Sequence, residues 1–256
     1  MSDLAEKVRQ GDPDRHAATR AAPEADRDKL WPLYAFNLEI ARAPWVTQEP
    51  LIAEMRLQFW ADTLDGIAAG AVPRAHEVAE PLAQVWRDGA LPVELGHAMI
   101  AARRQDIARE GFADMQALEQ YLDATSGNLM WLAALILGAK PVAELVVRDM
   151  AHAAGLANWF LAVPELHARN LPPLPDDSDA AIRALAQNAL ERLSRARKFR
   201  NSVPAAAMPA LLTGWQAGSI LRRAAANPAL VRTGGLALSE FSRRGRLMLR
   251  ALTGRW

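Results

Sequence analysis

Apolar residues recur every three or four positions along most of the chain, and proline or glycine interrupts the pattern at intervals. This spacing predicts a succession of amphipathic helices separated by short connections. In the second helix, apolar residues recur along one face, which carries Ile52, Met55, Phe59, Thr63 and Ile67. The predicted helices cover residues 29–43, 51–70, 77–87, 92–109, 115–139, 142–163, 180–199, 205–225 and 235–256.

No stretch alternates apolar and polar residues as a half-buried strand does. The pattern at residues 115–139 predicts a helix bent at Gly127, and its apolar run at residues 129–139 is too short to span a bilayer. Neither a repeat nor a long linker divides the chain. We therefore predict one all-α domain over residues 1–256, with residues 1–25 flexible or loosely packed because they are polar and highly charged.

Composition narrows the function without identifying it. Hydrophobic residues make up 51% of the 256 positions, the formal net charge is +1, and the chain has no cysteine. The absence of cysteine excludes disulfides, thiolate metal sites and cysteine nucleophiles. A net charge near zero gives no general attraction to nucleic acid, and we expect a cytoplasmic protein without a nucleic-acid partner.

Motifs for nucleophilic catalysis, nucleotide binding and zinc hydrolysis are absent from the sequence. Carboxylates at two sites are candidates for metal ligands: Asp62 with Asp65, and Asp106 with Glu110. The first pair is equally typical of a solvated helix face, and the second of surface ion pairs with neighbouring arginines. A third acidic group, at residues 176–179, is expected to cap the helix that follows it.

Four ordered segments carry a family resemblance. They are LYAFNLEIAR at residues 33–42, LIAEMRLQFWADTLDGI at 51–67, LEQYLDATSGNLM at 118–130 and GLANWFLAVPELHARNLPPLP at 155–175. Together they resemble the squalene/phytoene synthase family. The resemblance implies a single helical bundle of the isoprenoid synthase type around a central cavity, where two aspartate-rich motifs hold Mg²⁺ and two prenyl diphosphates are joined. It also implies candidates for the cavity lining: Tyr34, Asn37, Gln58, Tyr121 and Asn158.

Both metal motifs depart from the family pattern. The resemblance aligns the first motif with Ala41, Arg42 and Trp45, and the second with Ala162 and Leu166. Glu165 is the carboxylate that remains from the second motif. One carboxylate cannot hold a metal cluster, and Arg42 would repel it. We therefore expect no bound Mg²⁺, no other cofactor and no catalytic residues.

The double loss resembles a degenerate branch of the family, which includes a mitochondrial assembly factor for respiratory complex I. Three functions stay open at this point. The first is a non-catalytic scaffold that binds a protein partner, such as complex I subunits, near a membrane. The second is a non-enzymatic carrier of an isoprenoid or other lipid. The third is an active prenyltransferase in which Asp62, Asp65 and Asp106 have taken over Mg²⁺ ligation.

The end of the sequence predicts a basic amphipathic helix within residues 239–256. On a helical projection Phe241, Met248, Leu252 and Trp256 lie on one side, and Arg243, Arg246 and Arg250 lie opposite. Such a helix suits either an anionic membrane surface or a partner groove, or it packs its apolar side on the core. If the helix binds a membrane or a partner, the contact surface is formed by Arg243, Arg246, Arg250 and Trp256. The protein would then be peripheral to the inner face of a membrane.

Overall fold

Fourteen α-helices and no strand lie within residues 3–256, the part of the chain that this computed structural model describes. The first seven helices are α1 Asp3–Gly11, α2 Pro13–Thr19, α3 Glu24–Arg42, α4 Pro50–Ala68, α5 Ala79–Asp88, α6 Val93–Ala108 and α7 Met115–Leu122. The others are α8 Asn128–Ile136, α9 Glu144–Ala168, α10 Asp179–Lys198, α11 Met208–Leu212, α12 Ala217–Ala226, α13 Ala229–Thr233 and α14 Glu240–Thr253. The all-α prediction is confirmed.

Several helices begin where the sequence places a side chain that can accept a hydrogen bond from a free backbone N–H. Asp114 caps α7 through the amide of Ala117, at 2.8 Å. Ser178 caps α10 through the amide of Ala181, at 3.2 Å. The acidic group at residues 176–179 therefore surrounds a helix N-terminus, as predicted, and its charges favour the positive end of the helix dipole.

The centre of the core between α3, α4 and α5 is aromatic. Phe36 packs edge-on against Trp60 at 5.4 Å between ring centroids and against Trp86 at 6.1 Å, and all three are buried. Gly96 of α6 lets this cluster close, because a Cβ there would lie 2.6 Å from a methyl carbon of Leu64. The small residue thus sets the distance between α4 and α6.

The expected face of α4 is wrong in its first half. Ile52 is 45% exposed and Met55 is 65% exposed. The residues that pack inward on this helix are Ala53, Leu57, Trp60, Ala61, Leu64 and Ile67. Both sides of α4 carry apolar residues, so periodicity alone does not say which side meets α3 and α6.

Residues 1–25 were expected to be flexible or loosely packed, and from residue 3 onward this is wrong. Val8 of α1 is fully buried, and Lys7 forms ion pairs with Glu39 of α3 and with Glu77. The His16 ring of α2 stacks on Trp31 at 5.3 Å. The segment looks polar because its exposed side is charged, whereas small and aliphatic residues face the core. Residues 1 and 2 lie outside the described part.

A π-helical turn, Asp123–Gly127, joins α7 to α8 at the predicted bend. Gly155 of α9 faces this turn, and a Cβ at that position would lie 2.8 Å from both Cβ and Oγ of Ser126. The glycine therefore allows α9 to approach the turn closely. π-turns occur often at functional sites, and this one lies beside the cavities described next.

Candidate functional site

Two cavities share a wall between α6, α7, α9 and the segment that follows α3. Their volumes are about 270 and 330 Å³, and the residues common to both linings are Trp45, Asp106, Trp159 and Leu166. The first lining also contains Gln105, Ala108, Arg109, Glu110, Gly111, Phe112, Ala113, Ala117, Leu171, Pro172 and Pro173. The second also contains Arg103, Tyr121, Ala162, Glu165 and Arg169. We refer to the pair as the central cavities.

The positions of the two lost metal motifs meet in these cavities. Trp45 follows α3, and Ala162, Glu165 and Leu166 lie on α9, yet all four line the second cavity. The Arg169 guanidinium lies over the Trp45 ring, 5.4 Å from its centroid, and donates to Glu165 at 2.6 Å. The remaining carboxylate is therefore already paired with a cation.

The other two positions of the first motif lie elsewhere. Ala41 is half-buried, and it does not line either central cavity in the described part of the chain. Arg42 is exposed, and its guanidinium reaches α1, since a Cβ on Gly11 would lie 2.9 Å from Nη2 of Arg42. The prediction that Arg42 would repel a metal is thus wrong, because Arg42 lies elsewhere. The cation that contacts Glu165 is Arg169.

The residues present do not fit a Mg²⁺ cluster. Within residues 3–256 no three His, Asp or Glu side chains come together as a group that could hold a metal. Apolar side chains, Trp45, Ala162 and Leu166, stand where the family pattern has oxygen ligands, and they cannot replace them.

A buried polar network closes one side of the cavities. Tyr121 donates its hydroxyl proton to Asp106 at 2.9 Å, and Arg103 donates both to Asp106, at 3.2 Å, and to Tyr121. Burial raises the pKa of Asp106, although Arg103 and Tyr121 act against that shift. Burial likewise raises the pKa of Tyr121. The pairing between Asp106 and an arginine was predicted, but it is internal and not on the surface.

Three rings occupy the space between this network and α9. Phe112, Tyr121 and Trp159 contact one another edge to face, at centroid distances between 5.3 and 5.5 Å. Trp159 is fixed by a 2.8 Å hydrogen bond from its Nε1 to the carbonyl oxygen of Pro173. The aromatic residues divide the interior into small separate spaces. No pattern in the sequence indicated that Phe112 would join them.

Three of the five candidates for the cavity lining are found on cavity walls. Tyr121 lines the second central cavity, and Asn37, Tyr121 and Asn158 line a neighbouring space of about 170 Å³. Tyr34 is instead packed in the core under the Arg15 guanidinium, and burial raises its pKa to about 12. Gln58 is exposed and bonds to Asp62 and Arg104, because the adjacent Leu57 takes the inward position.

The alternative metal ligands do not converge. Asp62 pairs with Arg74 at 3.4 Å, and Asp65, which is 70% exposed, lies 3.0 Å from His97. Asp106 and Glu110 both line the first central cavity, whereas neither Asp62 nor Asp65 lines either central cavity. The reading of the first pair as a solvated helix face therefore describes the structure better than a shared metal site.

The last helix, α14, turns the apolar side of its projection outward and does not pack it on the core, apart from Trp256. Phe241, Met248, Leu249 and Leu252 are between 62% and 89% exposed. The side that faces the protein carries Leu247 and Ala251, which pack beside Ala18, Leu212 and Trp215. We call the four exposed residues the outer stripe.

The arginines that were expected on a membrane or partner surface are held by the protein. Arg243 forms an ion pair with Asp14, Arg246 donates to the Ser219 hydroxyl at 2.6 Å, and Arg250 is half-buried. Trp256 is 6% exposed and belongs to the core. The chain turns back after α14 at Gly254, in the left-handed conformation, so Trp256 does not continue the stripe.

Comparisons with known proteins agree with this architecture. The squalene/phytoene synthase family profile matches residues 8–178, more than half of the chain. A Bos taurus protein named NADH dehydrogenase (ubiquinone) complex I, assembly factor 6, is 28% identical over 228 residues, which cover 81% of this chain and 68% of that protein. The Homo sapiens protein of the same name is 26% identical over 228 residues, with the same two coverages.

The fold has a solved counterpart. The crystal structure of a dehydrosqualene synthase in complex with ligand superposes with a TM-score of 0.82, over 98% of this chain and 94% of that one, at 13% identity. The likeness shows the fold, so the predicted isoprenoid synthase type is confirmed. Among the described helices, none has the length and apolar character needed to cross a bilayer.

Proposed function

The chain belongs to the squalene/phytoene synthase family, and we propose that it is a non-catalytic member that acts as a membrane-peripheral assembly factor for respiratory complex I. The observation that carries the proposal is the state of the second motif. Glu165, its remaining carboxylate, is paired with Arg169, and the positions around it are Trp45, Ala162 and Leu166. The side chains at these motif positions, Trp45, Ala162 and Leu166, offer a Mg²⁺–diphosphate complex no oxygen ligands. The names of the bovine and human relatives support the assembly role.

An assembly factor needs a surface for a protein partner, and the start of α4 offers one. Val46, Leu51, Ile52 and Met55 are between 45% and 72% exposed within ten residues of chain. Exposed apolar side chains that lie close together mark interaction surfaces more often than isolated ones do. We assign this stretch, residues 46–55, to contact with a complex I subunit.

The outer stripe of α14 supports the peripheral location. Four apolar side chains face outward on a helix that also carries arginines, a combination that suits the interface of an anionic membrane. We place this contact on the cytoplasmic side, at the inner face of the membrane.

The partner contact is tested by replacing an exposed apolar residue with a charged one. In cells that lack the gene, wild-type protein should restore assembled complex I, measured by native gel electrophoresis and NADH dehydrogenase activity. The Met55→Glu variant should fold but restore little, because a charge cannot enter an apolar interface. Gln120→Glu, an exposed change on α7, is the control and should restore as well as wild type. Full rescue by Met55→Glu would remove this surface from the proposal.

The non-catalytic part has its own test. Purified protein incubated with farnesyl or geranylgeranyl diphosphate and Mg²⁺ should release no pyrophosphate. Complex I rescue should survive Glu165→Gln, which removes the last motif carboxylate from an exposed position. Pyrophosphate release that disappears in Asp106→Asn would instead establish the prenyltransferase alternative.

A second function, binding of an isoprenoid or other lipid, is favoured by the linings of the central cavities. Volumes of about 270 and 330 Å³ lie near the lower end for small-molecule sites, and Phe112, Trp159, Leu171 and Pro172 provide apolar walls. Native mass spectrometry of the purified protein should then detect one co-purified lipid, which Leu166→Asp would expel. A spectrum of the bare chain in both proteins would argue against this function.

A further inference from the structure

A third cavity, apart from the central ones, lies between the end of α10 and the end of α14. Its volume is about 480 Å³, and its lining is Arg197, Arg200, Leu249, Arg250, Thr253, Arg255 and Trp256. Four of these seven residues are arginines, and none of the seven is an Asp or a Glu. We call it the arginine pocket.

The arginines of the pocket lack the carboxylates that other arginines of α10 possess. Arg192 and Arg195 both pair with the buried Asp149, at 3.1 and 2.6 Å. By contrast, within residues 3–256, Arg197, Arg200, Arg250 and Arg255 have no Asp or Glu side chain within ion-pair distance. Nε of Arg197 donates to the main-chain oxygen of Trp256 at 3.0 Å, while its Nη2 is buried without a hydrogen-bond partner.

Like charges also crowd this part of the molecule. Burial, together with the positive charges of Arg250 and Arg222, lowers the pKa of Arg197 to about 10. Burial lowers the pKa of Arg250 as well, with contributions from Arg222 and Arg246. A protein stabilises such an arrangement when an anion is bound, because the anion offsets both the burial of charge and the repulsion.

The location of the pocket indicates the kind of anion. Leu249 lines the pocket and is also one of the four residues of the outer stripe. An anion in the pocket would therefore lie beside an exposed apolar surface. A phospholipid combines these two features, since its phosphate is attached to acyl chains, and guanidinium groups bind phosphate oxygens with paired hydrogen bonds.

We propose that the arginine pocket binds the phosphate of an anionic phospholipid while the outer stripe enters the adjacent acyl region. The inference rests on the membrane contact of the proposed function and adds a specific site to it. General attraction between basic residues and an anionic membrane does not require a pocket. Binding in the pocket and general attraction therefore predict that different variants lose membrane binding.

Co-sedimentation of the full chain with vesicles separates the two. Binding to phosphatidylglycerol vesicles should exceed binding to phosphatidylcholine vesicles. The variants Arg250→Gln and Arg255→Gln should each weaken it by at least about tenfold, because a bidentate contact is lost as well as a charge. Arg244→Gln removes one charge from the same helix, from a side chain that is 82% exposed and outside the pocket, and should weaken binding by no more than about fivefold. Equal losses in all three variants would overturn the pocket and leave general attraction.

A soluble probe tests the pocket without a membrane. Glycerol 3-phosphate should raise the Tm of the wild-type chain and of Arg244→Gln, and should leave the Tm of Arg250→Gln and Arg255→Gln unchanged. A Tm shift in wild type without any preference for phosphatidylglycerol vesicles would overturn the lipid assignment, since the pocket would then take a free phosphate. Absence of both effects would overturn the inference entirely. None of these results depends on complex I, so failure of the assembly role remains distinguishable.

Discussion

At the scale of single residues, His152 on α9 is an ionisable group whose protonation is opposed by burial. Its side chain is 4% exposed, and it lies near the buried Asp149, which binds Arg192 and Arg195. Burial, with a smaller contribution from the positive charge of Arg192, lowers the pKa of His152 to about 4. The imidazole is therefore neutral in the folded protein at neutral pH.

This gives a pH prediction. Between its usual pKa of about 6.5 and about 4, the unfolded chain binds a proton at His152 that the folded chain does not. The free energy of unfolding should therefore fall as pH falls through that window, by up to about 3 kcal/mol from this residue. Urea unfolding of the His152→Leu variant should show a correspondingly smaller loss. An identical pH profile in the variant and wild type would contradict the assignment.

The network of Arg103, Tyr121 and Asp106 predicts a strong coupling. Both charged side chains are less than one fifth exposed, so Asp106→Ala leaves a buried arginine without its carboxylate. We expect a cost of about 3–5 kcal/mol in the free energy of unfolding. The double variant Arg103→Met with Asp106→Ala should cost less than Asp106→Ala alone, because no unpaired charge remains. Urea unfolding of both variants and of Arg103→Met alone completes the cycle, and strictly additive costs would show that the network is not coupled.

Some residue positions could be predicted from the sequence and others could not. Trp45, Ala162, Glu165 and Leu166 line one cavity, as the family resemblance implies. Gln58 does not, because one residue of difference on a helix turns a side chain by about 100°. Arg169 follows Glu165 by four residues, a spacing that favours an ion pair on a helix, and the pair forms at the surface.

At the scale of elements, helix existence was predictable and helix orientation was not. Both sides of α4 and of α14 carry apolar residues, and the side that packs inward is set by the neighbouring helices. In α14 the choice follows from Asp14 and Ser219, which provide partners for Arg243 and Arg246. Such long-range partners cannot be seen in a local pattern.

The close approach of α9 to the π-helical turn yields a prediction about elements. Gly155→Ala would place a Cβ 2.8 Å from Ser126, so the helices must separate, at a cost of about 1–3 kcal/mol in thermal or urea unfolding. Ser126→Gly removes the obstructing atoms and should recover part of that loss. Gly66→Ala on α4 is the control, since its nearest neighbour would be 3.9 Å away, and it should be neutral or stabilising by up to about 1 kcal/mol. Equal costs at Gly155 and Gly66 would show that the approach does not matter.

At the scale of the whole molecule, a net charge of +1 conceals an uneven distribution. Arginines of α10, α12 and α14 gather around the arginine pocket, whereas Asp106 and Glu165 at the central cavities are each paired with an arginine. Composition could not reveal this segregation, because it depends on which helices become neighbours. The protein thus keeps the family fold, and a cluster of arginines without Asp or Glu partners lies away from the positions of the lost metal motifs.

The location of α14 gives the last prediction, which concerns the orientation of the protein on a membrane. Trp256 is buried, so a new reporter is needed, and Phe241, at 89% exposure, is the best placed residue of the outer stripe. The tryptophan emission of Phe241→Trp is measured and the wild-type emission is subtracted. With phosphatidylglycerol vesicles this difference spectrum should shift to the blue, because the new ring enters an apolar medium. Leu145→Trp, at a position that is 65% exposed on α9, should show none.

Added salt should weaken the binding of Phe241→Trp by screening the arginines, but part of the blue shift should survive because burial of apolar surface is insensitive to screening. A shift at Leu145→Trp with none at Phe241→Trp would mean that another face meets the membrane, and the outer stripe would then be left to a protein partner.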